Sequence, residues 1–333
     1  LSRLIPALVA GYEAGGLLES AYAGKTTPSG HRSSATYGTI AAAAAASRLM
    51  ELDADRTAAA IANAAHFSGG ILQAFADGTD EWRYQVGVAG RNGLAAAELA
   101  RAGSVSAPRA IEGPAGFVRA FARAECDVEA LAARLGRDWS IHRVTFKPYP
   151  VCAFNQTPVT ATLAMRDQIA AGEIAAVRVT MNPYETGYAG MDATGPFGSI
   201  SGTLMSIPFC IATTLVRGTP SMQTMTTYDD AEVNALVDRV TLVSDESIPT
   251  LCCRIEIEMA DGRRVERFEE KTPADFSFDR ATVSALIRRI GAETGLPASA
   301  YDRLESFVDG LPGGDIDMVI DSFAEAPRIR DAA

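Results

Sequence analysis

Lys147 and Tyr149 flank Pro148 in VTFKPYPVCAFNQTP, residues 144–158, and Pro150 follows directly. A residue before proline is held extended, so the ammonium and the phenol are stiffly placed. A partly desolvated lysine gives up its proton more readily and serves as a base or an electrophile. Asn155 and Gln156, a few residues on, carry amides that orient hydroxyl or carboxyl groups. The plainer reading of the same stretch is a lysine snorkelling at a domain edge.

Two further segments have residue types suited to an anion. In PSGHRSSATYG, residues 28–38, Ser33, Ser34 and Thr36 sit where a helix begins, and His31 and Arg32 add donors. The free N–H groups and the dipole of a helix N-terminus favour negative charge; an ordinary capped loop explains the pattern equally well. In DGTDEWRYQVG, residues 77–87, Arg83 and Tyr84 open a glycine-containing helix. The planar fork of an arginine grips a carboxylate through two hydrogen bonds, and a surface ion pair is the competing reading.

Other chemistries lose ground. The three histidines, His31, His66 and His142, form no H-E-x-x-H, and no G-x-S-x-G, paired C-x-x-C or Walker loop occurs. No metal site is expected. Cys126, Cys152, Cys210, Cys252 and Cys253 are odd in number and lack disulfide or zinc spacing, which suggests reduced thiols in a cytoplasmic protein. A net charge of −11 without a basic stripe argues against nucleic acid. No apolar run is long enough to span a membrane, and LSRLIPALVAGYEAG, residues 1–15, is no signal peptide. It reads as the middle of a helix, so an N-terminal portion missing before Leu1 is expected.

The elements that must position these residues follow from periodicity. TYGTIAAAAAASRLMEL (36–52) is an Ala-rich helix with almost no polar face, hence central and buried. Asp53 caps a helix over 54–67, another runs over 81–103, and a short one over 127–136. Gly87, Gly90 and Gly93, three apart, suit tight helix packing or close approach of a ligand. HRVTFK (142–147) alternates like a strand. A helix follows from Pro158 to about 171, then a strand over 175–182. An apolar helix over 202–218 is interrupted at Pro208, and a short helix covers 229–239. Strands at 239–244 and within 252–270 follow, the last two joined by an Asp-Gly turn. Helix returns from 279 to about 326. The expected fold is mainly α with an inserted α+β domain: helical over 1–148, α+β over 149–278, and a helical return over 279–333.

Taken in order, AGYEAGG, the loop before the Ala helix, WRYQVGVAGRNGLAAAELARAG, EGPAGFVRAF, KPYPVCAFNQTP and MSIPFCIA resemble the MmgE/PrpD family. That family includes 2-methylcitrate dehydratase, cis-aconitate decarboxylase and iminodisuccinate epimerase. The resemblance implies a helical domain with a smaller α+β lid, an active site between them, and a homodimer. It also implies cofactor-independent proton transfer next to a carboxylate of a small di- or tricarboxylate. On that basis Lys147, Tyr149 and His31 are the candidate catalytic residues, with Lys147 or Tyr149 as the acid/base and His31 helping Arg32 and Arg83 to clamp carboxylates. Arg32, Ser34, Arg83, Tyr84, Asn155, Gln156 and Tyr184 are the candidate substrate contacts.

This chain departs from the family pattern at several points. The usual Gly-aromatic-His-Pro-Thr is here Gly30-His31-Arg32-Ser33-Ser34, Lys-Arg-Leu-His-Ala-Gly is Trp82-Arg83-Tyr84-Gln85-Val86-Gly87, and a histidine becomes Gln156. The family's acidic segment would precede Leu1. The alternative function is a non-catalytic or split-subunit remnant with a binding or structural role.

Overall fold

The computed structural model describes residues 1–169 and 173–325. Two compact units are present: Arg3–Val144 with Gly187–Ala189, and Leu1–Ser2 with Thr145–Thr186 and the chain from Gly190 onward.

The first unit is helical. Helices α1 (Leu4–Thr26), α2 (Ser33–Leu49), α3 (Ala54–Phe67), the short α4 (Gln73–Asp77), α5 (Glu81–Arg101) and α6 (Val128–Arg134) follow one another. The Ala-rich α2 is central, as its missing polar face requires, and packs on α1, α3 and α5. Small side chains make this closeness possible. A Cβ on Gly93 would lie 2.5 Å from Ala42 Cβ and 2.6 Å from Thr39 O, so α5 sits backbone to backbone on α2. The other two glycines of the trio do not share this role, because Gly87 and Gly90 face open space. Asp53 and Asp127 cap α3 and α6 by accepting the N–H groups of Arg56 and Ala130. Tyr37, Ile40, Phe117 and Val118 form the apolar centre with the alanines. Each large apolar side chain so buried contributes roughly 1.5–3 kcal/mol.

The second unit is built on a four-stranded sheet in the order β2-β1-β3-β4: β1 (Ile174–Met181), β2 (Val240–Ser244), β3 (Cys253–Met259) and β4 (Arg264–Glu269). β1 runs parallel to β2, with Val179 opposite Leu242, and antiparallel to β3, with Val179 opposite Ile255. The period-two pattern of β3 sends Cys253, Ile255, Ile257 and Met259 inward and Arg254, Glu256 and Glu258 outward. On the outer face Arg254 and Glu266 pair at 3.3 Å. The inner face is covered by α7 (Gln156–Met165) and α10 (Ile207–Arg217). Between them in the chain come the one-turn α8 (Pro183–Thr186) and α9 (Ile200–Met205); α11 (Met222–Met225) and α12 (Ala231–Val237) follow α10. Ser206, not Pro208, makes the break between α9 and α10: its Oγ accepts the Phe209 N–H, and Pro208 then falls harmlessly in the first turn.

Two sequence expectations differ from the structure. Residues 142–147 are no strand: a 3₁₀ turn covers Ser140–Arg143, and 144–147 run extended without a ladder. The alternation there has no neighbouring strand to meet, and the Phe146 N–H instead reaches Phe276 O at 2.8 Å. The helices α13 (Arg280–Thr294), α14 (Ala298–Asp309) and α15 (Asp317–Ala324) group with the sheet, whereas the sequence placed 279–333 with the first helices. Arg289 of α13 donates to Pro148 O, and Glu293 accepts the Met222 N–H at 2.9 Å. Among the described residues no helix is long and apolar enough to cross a membrane.

Candidate active site

In the sheet-bearing unit, the proline corner is fixed from behind by one amide. Gln156, at the first turn of α7, is buried. Its Oε1 accepts the Tyr149 N–H at 3.1 Å, and its Nε2 donates to the oxygens of Tyr149, Val151 and Cys152 at 3.0, 3.1 and 3.2 Å. The side chain's hydrogen-bonding capacity is thus spent on the backbone it supports. Asn155, fully buried, likewise donates to Leu204 O at 3.0 Å and Met205 O at 2.9 Å, bracing the end of α9. These two amides hold the corner in shape. Lys147 itself is exposed, not partly desolvated as the sequence suggested. The Cys152 thiol is pushed up by burial, with the Lys147 charge acting against that shift. Tyr184 lies on α8, where its N–H meets Asn182 Oδ1 at 3.0 Å and its ring meets Phe154 edge-on at 5.9 Å.

In the helical unit, the loop before α2 carries His31 and Arg32. His31 makes a bridge with Ile71 and packs edge-on against Phe121 at 5.1 Å. Burial, helped by the nearby Arg123 charge, lowers its pKa, so the imidazole is neutral at pH 7. Arg32, the residue before α2, lies half-buried between two rings, its Cζ 5.2 Å from the Phe75 centroid and 6.0 Å from that of Trp82. Its Nη1 donates to Trp82 O and to Gln85 Oε1, the latter at 3.2 Å. Gln85 is oriented in turn by donating from Nε2 to Ile71 O at 2.9 Å. Among the described residues no carboxylate pairs with Arg32. Burial lowers its pKa, yet a guanidinium stays protonated in proteins. The indole Nε1 of Trp82 is buried without a partner. With Nη1 tied down, the Nε and Nη2 edge remains, which is the edge that takes a carboxylate by two parallel hydrogen bonds.

The neighbouring candidates divide. Arg83 is exposed and paired with Asp80 at 2.8 Å, stacked over Trp82 at 4.9 Å. Tyr84 is 64% exposed, at the rim of a cleft of about 290 Å³ near Gly69 and Gly70. Ser34 is also exposed and lines an apolar groove of about 490 Å³ between α1 and α2, with Tyr12 and Glu19. The residues of EWRYQ that meet Arg32 are therefore Trp82 and Gln85. Helical spacing carries that signal, since residues three apart share a face while Arg83 and Tyr84 point away. Among the described residues no cluster of His, Cys, Asp and Glu suits a metal ion.

Residues 2–128 match the MmgE/PrpD N-terminal domain and residues 149–289 the MmgE/PrpD C-terminal domain. The chain belongs to the MmgE/PrpD family. A relative is the cis-aconitate decarboxylase-like protein oryM of Aspergillus oryzae (strain ATCC 42149 / RIB 40), 28% identical over 281 residues. That alignment covers 78% of this chain and 58% of oryM. This MmgE/PrpD chain thus spans less than two thirds of the relative.

Proposed function

We propose that this MmgE/PrpD protein carries out cofactor-independent proton transfer next to a carboxylate of a small di- or tricarboxylate, as a lyase or an isomerase. The observation that carries this reading is Arg32: a half-buried guanidinium with a fixed plane and, among the described residues, no carboxylate partner. A half-buried charge held only by neutral partners carries a desolvation cost, and a substrate carboxylate would offset it.

In this reading a C–H or C–CO₂ bond breaks and its electron pair spreads into the adjoining carboxylate. Hydroxide then leaves, or a proton returns to carbon. Lys147 or Tyr149 moves the proton, a task that needs a group within about 3 Å of the reacting atom. Within the helical unit Arg32 receives a carboxylate, with His31, Ser34 and Tyr84 as the other candidate contacts of that unit; Tyr184 is the candidate contact of the sheet-bearing unit. Gln156 spends its amide on the corner, while Asn155 braces the end of α9 through Nδ2 and keeps an Oδ1 without a partner among the described residues. A homodimer belongs to the same reading, and light scattering tests it.

The name of oryM makes cis-aconitate a natural member of the first substrate panel. The experiment is a screen for solvent deuterium incorporation into small di- and tricarboxylates. Incorporation that disappears in Lys147→Ala and Tyr149→Phe combined supports the reading; binding without incorporation for every member favours the non-catalytic alternative.

A further inference from the structure

Glu185 lies outside every motif considered so far. It sits on α8, its residue surface is fully buried, and no arginine or lysine pairs with it among the described residues. Its Oε1 accepts the Leu251 N–H at 2.9 Å, and its Oε2 is buried with no partner. Leu251 has φ +64, a left-handed conformation that costs energy for a residue with a Cβ and persists only when its surroundings hold it. The surroundings here are two hydrogen bonds. Glu185 takes the N–H of Leu251, and Thr157 Oγ1 donates to its C=O at 2.9 Å. Thr157 is the residue after Gln156, the amide that clamps Tyr149, Val151 and Cys152. One continuous path therefore runs from the Glu185 carboxyl through Leu251 and Thr157 to the corner carrying Lys147 and Tyr149.

We propose that Glu185 is a positioning residue, a protonation-dependent latch that holds the corner at residues 147–152 through Leu251 and Thr157. Calling that corner catalytic rests on the function proposed above; the latch itself does not.

The protonated form is the one that fits. Burial raises the Glu185 pKa to about 7, against the single favourable contact from Leu251. The titratable groups facing it are thiols, Cys152 from the corner and Cys253 from β3, and both are pushed up, chiefly by burial. Among the described residues none of the charged groups around it pairs with it. Glu269 pairs with Arg267 and Lys271, Asp245 takes the Ser247 N–H at 2.8 Å, and Lys147 acts on Cys152. Ionised Glu185 would have one donor and, among the described residues, no cation, so the charge favours opening of the Leu251 segment toward water.

The sign follows from linkage. The folded state binds this proton more tightly than the unfolded chain, so the stabilisation is complete below the unfolded pKa and is lost as pH rises through about 7. Glu185→Gln keeps an acceptor for Leu251 and removes the titration, so it separates a latch from mere packing. The experiment is amide hydrogen exchange, corrected for intrinsic rates, at Leu251 and Tyr149 in wild type and Glu185→Gln, with denaturant unfolding at the same pH values. In wild type, protection at both amides should fall by up to about tenfold between about pH 6 and pH 8, and the folding equilibrium should weaken relative to Glu185→Gln by about the same tenfold. In Glu185→Gln both should be flat. Parallel pH profiles for the two proteins would overturn the latch. Loosening at Leu251 without loosening at Tyr149 would overturn the coupling to the corner. Neither readout needs a substrate, so failure here is separate from failure of the proposed reaction.

Discussion

Arg32 and Gln85 are joined by a 3.2 Å hydrogen bond from Nη1 to Oε1, across 53 positions of sequence. The bond sets the plane of a guanidinium that no carboxylate among the described residues neutralises, and Ile71 O fixes the amide that makes it. Gln85→Leu keeps much of the volume and removes the acceptor. Carboxylate ligands should then bind roughly tenfold more weakly, about 1.4 kcal/mol, with little change in melting temperature. Titration calorimetry against a dicarboxylate panel checks this; unchanged affinity would show that the plane of Arg32 does not matter for binding.

Gln156 makes four hydrogen bonds to the backbone of the corner from a buried position. Gln156→Ala leaves the Tyr149 N–H and three carbonyls without that partner. The expected loss is about 2–4 kcal/mol, read as a lower denaturation midpoint at unchanged m-value.

Gly93 and Gly90 lie on the same helix in opposite settings. Gly93→Ala drives a Cβ into Ala42 and the α2 backbone and should destabilise by about 1–3 kcal/mol. Gly90→Ala meets nothing within 4 Å and should stabilise by roughly 0.5–1 kcal/mol through helix propensity. Melting curves of the two variants should move in opposite directions.

His31 predicts a dependence on acid. Its folded pKa lies below the ordinary value because of burial and then Arg123. The stabilisation is therefore present above the unfolded pKa of about 6.5 and is lost as pH falls through the lower folded value. His31→Asn should flatten that part of the stability profile, measured by denaturant midpoints over the acid range.

These residues also show how far the sequence could be read. The helix over 54–67 with its Asp53 cap, the β3–β4 hairpin and the buried Ala helix were legible because local chemistry and tertiary packing agree there. Residues 142–147 were misread because alternation records only which faces differ, while a strand also needs a partner in register. Arg83 drew attention by type, yet Asp80 three residues earlier supplies its partner. Trp82 and Gln85 were the informative pair. Glu185 could not be found from sequence, because its burial and its contact with Leu251, 66 residues away, arise only from the packing of the sheet-bearing unit.

In the proposed reaction this chain moves a proton next to a carboxylate, and Arg32 binds a carboxylate of the substrate. The most direct measurement is proton NMR in D₂O of small di- and tricarboxylates, cis-aconitate included, with wild type and Arg32→Gln. Enzyme-dependent deuterium incorporation or product formation is expected for at least one acid, reduced by about a hundredfold or more in Arg32→Gln. Incorporation that Arg32→Gln leaves intact, or none for any acid that calorimetry shows to bind, would contradict it.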